Sequence, residues 1–241
     1  INGSININSV TNAAFSNSGT LTLAGSISAA PAANPATFTN NANATFNLSG
    51  DIDNDVTLTF SATGNTVNYT SNGGAEIEDP IANTYYNLIV GGASNRSLRD
   101  NIILDGNLTV QNTARFNTNG LDISIAGNWT NSSTDANPFV EGTRTVTFNG
   151  TSDQTISAVL AAGETFYNLV VNKPSGDLLL ATSPSTDMSI ANAGTMTFTS
   201  GVVTTTSTES LTFNSTSLVA GGTSTSYVDG PVRKFGSAAF T

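Results

Sequence analysis

Short segments that alternate apolar and polar residues recur along the whole chain. Ile5-Asn6-Ile7, Leu21-Thr22-Leu23, Thr57-Leu58-Thr59-Phe60, Leu108-Thr109-Val110, Ile123-Ser124-Ile125 and Val146-Thr147-Phe148 are examples. Later ones are Leu169-Val170-Val171, Met196-Thr197-Phe198 and Leu211-Thr212-Phe213. A strand sends successive side chains to opposite faces, so a period of two predicts strands with one buried and one solvated side. Turn formers lie between them: Ser18-Gly19, Asn72-Gly73-Gly74, Asn119-Gly120 and Asn149-Gly150. Helical periodicity is lacking; Ala158 to Gly163 has room for one turn at most.

The segments repeat. Thr66-Val67-Asn68-Tyr69 with Tyr85-Tyr86-Asn87-Leu88-Ile89-Val90 matches Thr145-Val146-Thr147-Phe148 with Phe166-Tyr167-Asn168-Leu169-Val170-Val171, at an offset of 79 to 81 residues. Gly3 to Ile27 matches Gly106 to Trp129 through Ile5/Leu108, Phe15/Phe116, Gly19/Gly120 and Ile27/Trp129. A weaker copy begins near Asp187, with Met188-Ser189-Ile190, Met196-Thr197-Phe198 and Gly201. Strand-and-turn units with drifting loop lengths point to stacked coils, each covering the apolar side of the one below. The fold class expected is all-β, a parallel β-helix (β-solenoid) with irregular loops. Coils of about 20 to 25 residues give roughly ten turns and a rod on the order of 50 Å long. Asn at the corners is positioned to form side-chain ladders. The alternative is tandem β-sandwiches of about 100 residues each.

Composition supports strands over helices. Only 10 % of residues are charged, and the polarity comes from Ser, Thr, Asn and Gly, which suit pleats and turns better than solvated helices. Seventeen acids against seven bases give a net charge of −10, which argues against nucleic-acid binding because phosphate neutralisation needs clustered bases. The chain has no Cys and no His. Disulfides, thiolate metal sites and any Ser-His-Asp triad are thereby excluded. No run approaches the ~20 apolar residues of a membrane helix, so no membrane insertion is expected. Ile1 to Val10 lacks the regions of a signal peptide, as expected where an export signal is removed or the piece is internal.

A more specific signal lies in Gly127-Asn128-Trp129-Thr130-Asn131, Thr145-Val146-Thr147-Phe148-Asn149-Gly150-Thr151, Gln154-Thr155-Ile156-Ser157 and Phe166-Tyr167-Asn168-Leu169-Val170-Val171-Asn172-Lys173. Ser226-Tyr227-Val228-Asp229-Gly230-Pro231-Val232-Arg233-Lys234 belongs with them. These phrases resemble the β-helical repeat regions of very large Bacteroidota cell-surface proteins exported by type IX secretion. The likeness is clearest from about Asp105 to Thr241; residues 1–50 share the general style alone. It implies an extracellular, cell-surface setting and an adhesin- or filament-like role, and carries over no catalytic residue. The chain then reads as one solenoid region over 1–241. Divergent coils cover about 1–50, related blocks cover 51–130 and 131–225, and a following segment starts over 226–241, in a fragment of a longer protein. In that family the Tyr-Val-Asp-Gly-Pro phrase leads into a further domain, and here the chain stops at Phe240-Thr241.

Four sets of residues are candidates for chemistry. Asp51, Asp53 and Asp55 would share one face of a strand, where Ca²⁺ would relieve their repulsion. An EF-hand loop is excluded because its sixth and twelfth positions are Val56 and Ala62; the competing reading is a solvated acidic turn. Glu76, Glu78 and Asp79 form a second acidic group, read the same way. Tyr85, Tyr86, Phe166, Tyr167 and Trp129 are candidates for a sugar platform, although equivalent repeat positions favour one ring of each pair packing inward. Thr-x-Thr pairs such as Thr20/Thr22 and Thr145/Thr147 suggest an ice-binding array, against which the irregular loops argue by denying constant spacing. Asn-x-Ser/Thr sequons such as Asn43, Asn68, Asn128 and Asn149 follow from composition. The leading expectation is a non-catalytic stiff spacer, with no cofactor unless Ca²⁺, and with other copies of itself or flanking domains as partners. A carbohydrate-binding module that meets surface glycans is second, and a polysaccharide lyase or hydrolase is third.

Overall fold

A computed structural model describes residues 1–7, 13–29, 36–73 and 75–236. Phe240-Thr241, where the chain stops, lies outside the described residues. The architecture is a parallel β-solenoid of about nine turns. Among the described residues every pairing between strands is parallel, and the only antiparallel contacts are two single bridges, Thr182 with Ser185 and Thr223 with Ser226. That excludes the sandwich alternative, whose neighbouring strands run in opposite directions.

Each full turn lays down three strands in succession, as Asn95–Leu98, Ile102–Leu104 and Leu108–Val110 do. Stacking the turns produces three faces. The first face is an unbroken ten-stranded sheet from Thr20–Leu23 to Val228–Asp229. The second holds Ala14–Asn17, Ala36–Asn40 and Val56–Thr59. It then continues through a bridge from Phe60 to Tyr85 into seven strands ending at Leu218–Ala220. The third comes in three runs: Ile5–Ile7 and Ile27–Ala29, then Ala75–Ile77 to Phe139–Val140, then Glu164–Phe166 to Val232–Lys234. Parallel pairing needs a long connection between partners, and here the connection is the rest of the coil.

Paired residues lie from 19 apart (Thr84 with Ile103) to 28 apart (Asn172 with Ser200, across a bulge). Most of the extra residues go into corners, and the first face keeps its register along its whole length, whereas the second shifts by one residue between Val171 and Asn172. This corrects the expectation that irregular loops would upset the spacing of outward residues. The matched sequence segments bring a second finding. Thr66–Tyr69 and Asn87–Val90 pair on the first face, whereas their sequence matches Thr145–Phe148 and Asn168–Asn172 pair on the second. Likewise Ile5 and Ile27 pair on the third face, and Leu108 and Trp129 on the first. The repeat preserves which strand sits on which, one turn later, and is displaced by one face.

Inward positions fill a single apolar interior, with two aromatic clusters along it. Phe38 lies 5.4 Å from Phe15 and 4.7 Å from Phe46, and Phe60 lies 5.5 Å from Tyr85. Further along, Trp129 meets Phe139 at 4.7 Å and Phe166 at 5.3 Å, both edge to face.

Corners are held by Asn and Asp. The Asn107 N–H donates to Asn87 Oδ1, Asn128 N–H to Asn107 Oδ1 and Thr155 N–H to Asn128 Oδ1, at 2.8 to 2.9 Å. Asn101, Asp122, Asp153 and Asp187 accept a main-chain N–H of the next turn in the same way. Short side-chain oxygens thus stand in for the ladder where the strand bends away. A buried ladder runs inside another corner, where Asn17 Nδ2 donates to Asn40 Oδ1 at 2.8 Å and Asn65 Nδ2 to the Asn40 carbonyl at 2.6 Å. Turns there need the left-handed region, supplied by Asn43 at φ 59° and by Gly64 at φ 76° one coil later.

Candidate functional site

The two breaks in the third face are where the scaffold departs from its regular pattern, and each holds a buried glutamate.

At the first break, Ile52 pairs with Ile27 through a single bridge, and its N–H donates to Glu78 Oε1 at 3.1 Å. Asp51 and Asp53 flank the buried Ile52, and Asp55 falls in the turn that follows, its N–H 3.4 Å from Asp53 Oδ1. The three aspartates therefore do not share a strand, as the sequence reading assumed. In the second acidic group Glu76 and Asp79 are exposed, as a solvated turn implies, but Glu78 is only 6 % exposed. Arg99 reaches it from the next coil, with Nη1 2.9 Å from Glu78 Oε2 and Nε 3.3 Å from Glu76 and 3.5 Å from Asp79. Arg99 Nη2 also donates to Asn54 Oδ1 at 2.6 Å. Arg99, Asp53, Asn54, Glu78 and Asp79 line a cleft of about 250 Å³. Burial pushes the Glu78 carboxyl up, and the Ile52 N–H and Arg99 pull it back. The cation among these carboxylates is thus a guanidinium of the chain itself. Among the described residues, no group of three or more His, Cys, Asp or Glu side chains is placed to hold a metal ion.

Below this corner, Tyr69 and Tyr85 join hydroxyls at 2.9 Å, and Tyr85 donates to the Glu78 carbonyl at 2.6 Å. The Arg96 guanidinium lies 4.9 Å from the Tyr69 ring centroid with Nη1 on the Glu76 carbonyl at 3.3 Å; the residue is 1 % exposed, and its Nε and Nη2 have no protein partner.

At the second break, Phe116 N–H and Thr118 N–H reach the carbonyls of Pro138 and Val140, so alternation turns the Phe139 main chain toward the next coil. Glu164 and Phe166 bond to the coil beyond, so the Thr165 main chain faces back. No ladder joins the two strands, and a cleft of about 200 Å³ opens beside them, lined by Asn137, Phe139, Glu141, Leu160, Glu164 and Thr165 among others. The Glu164 side chain points inward and is 3 % exposed. Its Oε2 accepts Trp129 Nε1 at 2.8 Å and Asn131 Nδ2 at 2.9 Å. Burial raises this carboxyl to about 7, against the pull of those donors.

Comparison with family models, curated proteins and solved structures gives no match. The reading of these sites therefore rests on their geometry. Tyr85, Phe166 and Trp129 are fully buried, while Tyr86 and Tyr167 are half-buried. The rings suggested as a sugar platform are split in this way between core and surface. Buried polar groups that sequence reasoning passed over include Arg96, Gln154, Glu164 and Lys173. Lys173 Nζ caps the carbonyls of Gly150 and Ser152 at 3.1 and 2.8 Å and Gln154 Oε1 at 3.0 Å. A signal for all four was present in the alternation. Each has the inward parity of its apolar neighbours: Leu98 for Arg96, Ile156 for Gln154, Phe166 for Glu164 and Val171 for Lys173.

Proposed function

We propose that the chain is a non-catalytic, stiff spacer segment of a secreted bacterial cell-surface adhesin or filament, working beside flanking domains or further copies of itself. The observation that carries this reading is where the polar chemistry goes. Glu78, Glu164, Lys173 and Gln154 are bound to main chain or to core side chains of neighbouring coils, and Arg99 is taken up by carboxylates one coil back. An unbroken ten-stranded ladder along the axis supplies stiffness without any local site. The phrases around Trp129, Phe166 and Tyr227 support the extracellular setting through their resemblance. No helix among the described residues is long and apolar enough to cross a membrane.

Two measurements test the proposal. Antibodies against the chain should label intact producing cells without permeabilisation. Pulled from its ends in an optical trap, the chain should hold as a rod and then yield coil by coil. Label confined to permeabilised cells would remove the surface role, and entropic stretching at low force would remove the spacer role. Release of reducing ends or unsaturated sugars from acidic polysaccharides would replace both with the enzyme reading.

A further inference from the structure

The first face carries more order outside than a spacer needs. Its outward residues form rows that cross the strands in register: Thr20, Thr45 and Thr66 in one, and Thr109, Thr130 and Ser157 in another. Adjacent strands are ~4.8 Å apart, and outward residues two apart along a strand are separated by ~6.6 Å. Hydroxyl and amide groups therefore repeat in two dimensions over a length on the order of 45 Å. From Thr20 to Thr204 no outward residue of this face is charged, and none is aromatic; Ile89 and Leu179 are its large apolar members. One row is also bonded along its length, since Asn47 Nδ2 donates to its register partner Thr22 Oγ1 at 3.2 Å and Asn68 Nδ2 to Asn47 Oδ1 at 2.8 Å.

We propose that this face binds ice. Each threonine offers a methyl that cages water and a hydroxyl that anchors it, on a β-branched side chain with little torsional freedom. A lattice of water has repeating sites and no net charge, so a regular, uncharged and hydroxyl-rich surface is complementary to it. A charged side chain would instead orient the nearest waters around itself. A crystalline polysaccharide suits the face less well, because flat sugar rings are held by exposed aromatic rings and this face has none. A protein partner would need a larger apolar centre than Ile89 and Leu179 supply. The inference is independent of the spacer role.

The test uses the fluorescently labelled 241-residue chain, slowly frozen onto a single ice crystal, beside two double variants. Thr109→Lys/Thr130→Lys puts charges on the first face; Thr147→Lys/Thr197→Lys does the same on the second, at outward positions joined in register through Val170. Circular dichroism and thermal melts establish that both variants fold. The expected result is that the wild type and the second-face variant enter the ice while the first-face variant is excluded. Exclusion of the wild type, or equal entry of all three, overturns the proposal. So does retention of the wild type on microcrystalline cellulose or chitin without entry into ice, which would make the face a polysaccharide surface.

Discussion

Glu164 is a carboxyl that folding makes harder to ionise. Its value rises from 4.5 to about 7, chiefly through burial. Between those values the folded chain keeps a proton that the unfolded chain has lost. Stability from this group is therefore greatest below about pH 4.5, falls as pH rises toward 7, and stays low above it. The span corresponds to ~3 kcal/mol. Glu164→Gln keeps an acceptor for Trp129 and Asn131 but cannot titrate. The expected outcome is that urea midpoints measured from pH 5 to pH 8 decline for the wild type and decline less for the variant; parallel curves would contradict this. Lys173 makes the opposite contribution, donating from inside the coil to the buried Gly150 carbonyl and to Gln154 Oε1. Lys173→Met fills similar space without donors and should cost about 1–3 kcal/mol in urea unfolding at pH 7.

At the scale of the strand, alternation made the fold legible. The period of two placed strands such as Ile123–Ile125 and Leu211–Phe213, and the repetition of matched segments pointed to stacked coils. The face on which a strand lies was not legible, because all three faces carry the same pattern: apolar inside, Thr, Ser or Asn outside. Partners such as Arg99 and Glu78, or Trp129 and Glu164, were hidden for another reason. They lie 21 and 35 residues apart, and corner lengths change from coil to coil. Asp51, Asp53 and Asp55 misled because a run of alternate acids looks like a strand, whereas only Ile52 between them makes a bridge. Corner glycines are a further element-scale constraint. A Cβ on Gly127 would strike the Gly106 carbonyl group of the preceding coil, so Gly127→Ala should destabilise by about 1–3 kcal/mol in chemical denaturation.

Across the whole molecule, stability in a stack of coils is a sum of local terms between neighbours. Phe38→Ala removes the ring that links Phe15, Phe46 and Phe60 and should cost about 3–5 kcal/mol. Hydrogen exchange followed by mass spectrometry is expected to show faster exchange in the coils around residues 14–69, with Met188–Ile190 and Leu211–Phe213 protected as before. Uniform loss of protection would mean that the rod unfolds as one unit. The interchangeable faces also make length a variable that can be changed in whole steps. Leu108 and Trp129 occupy the same place on successive strands, so excising residues 108–128 would seat Trp129 directly on Leu88. A chain cut in this way should remain folded and lose ~4.8 Å of reach. Copying or dropping such stretches therefore lengthens or shortens the rod in discrete notches, each the thickness of one coil, while the coils on either side keep their own contacts.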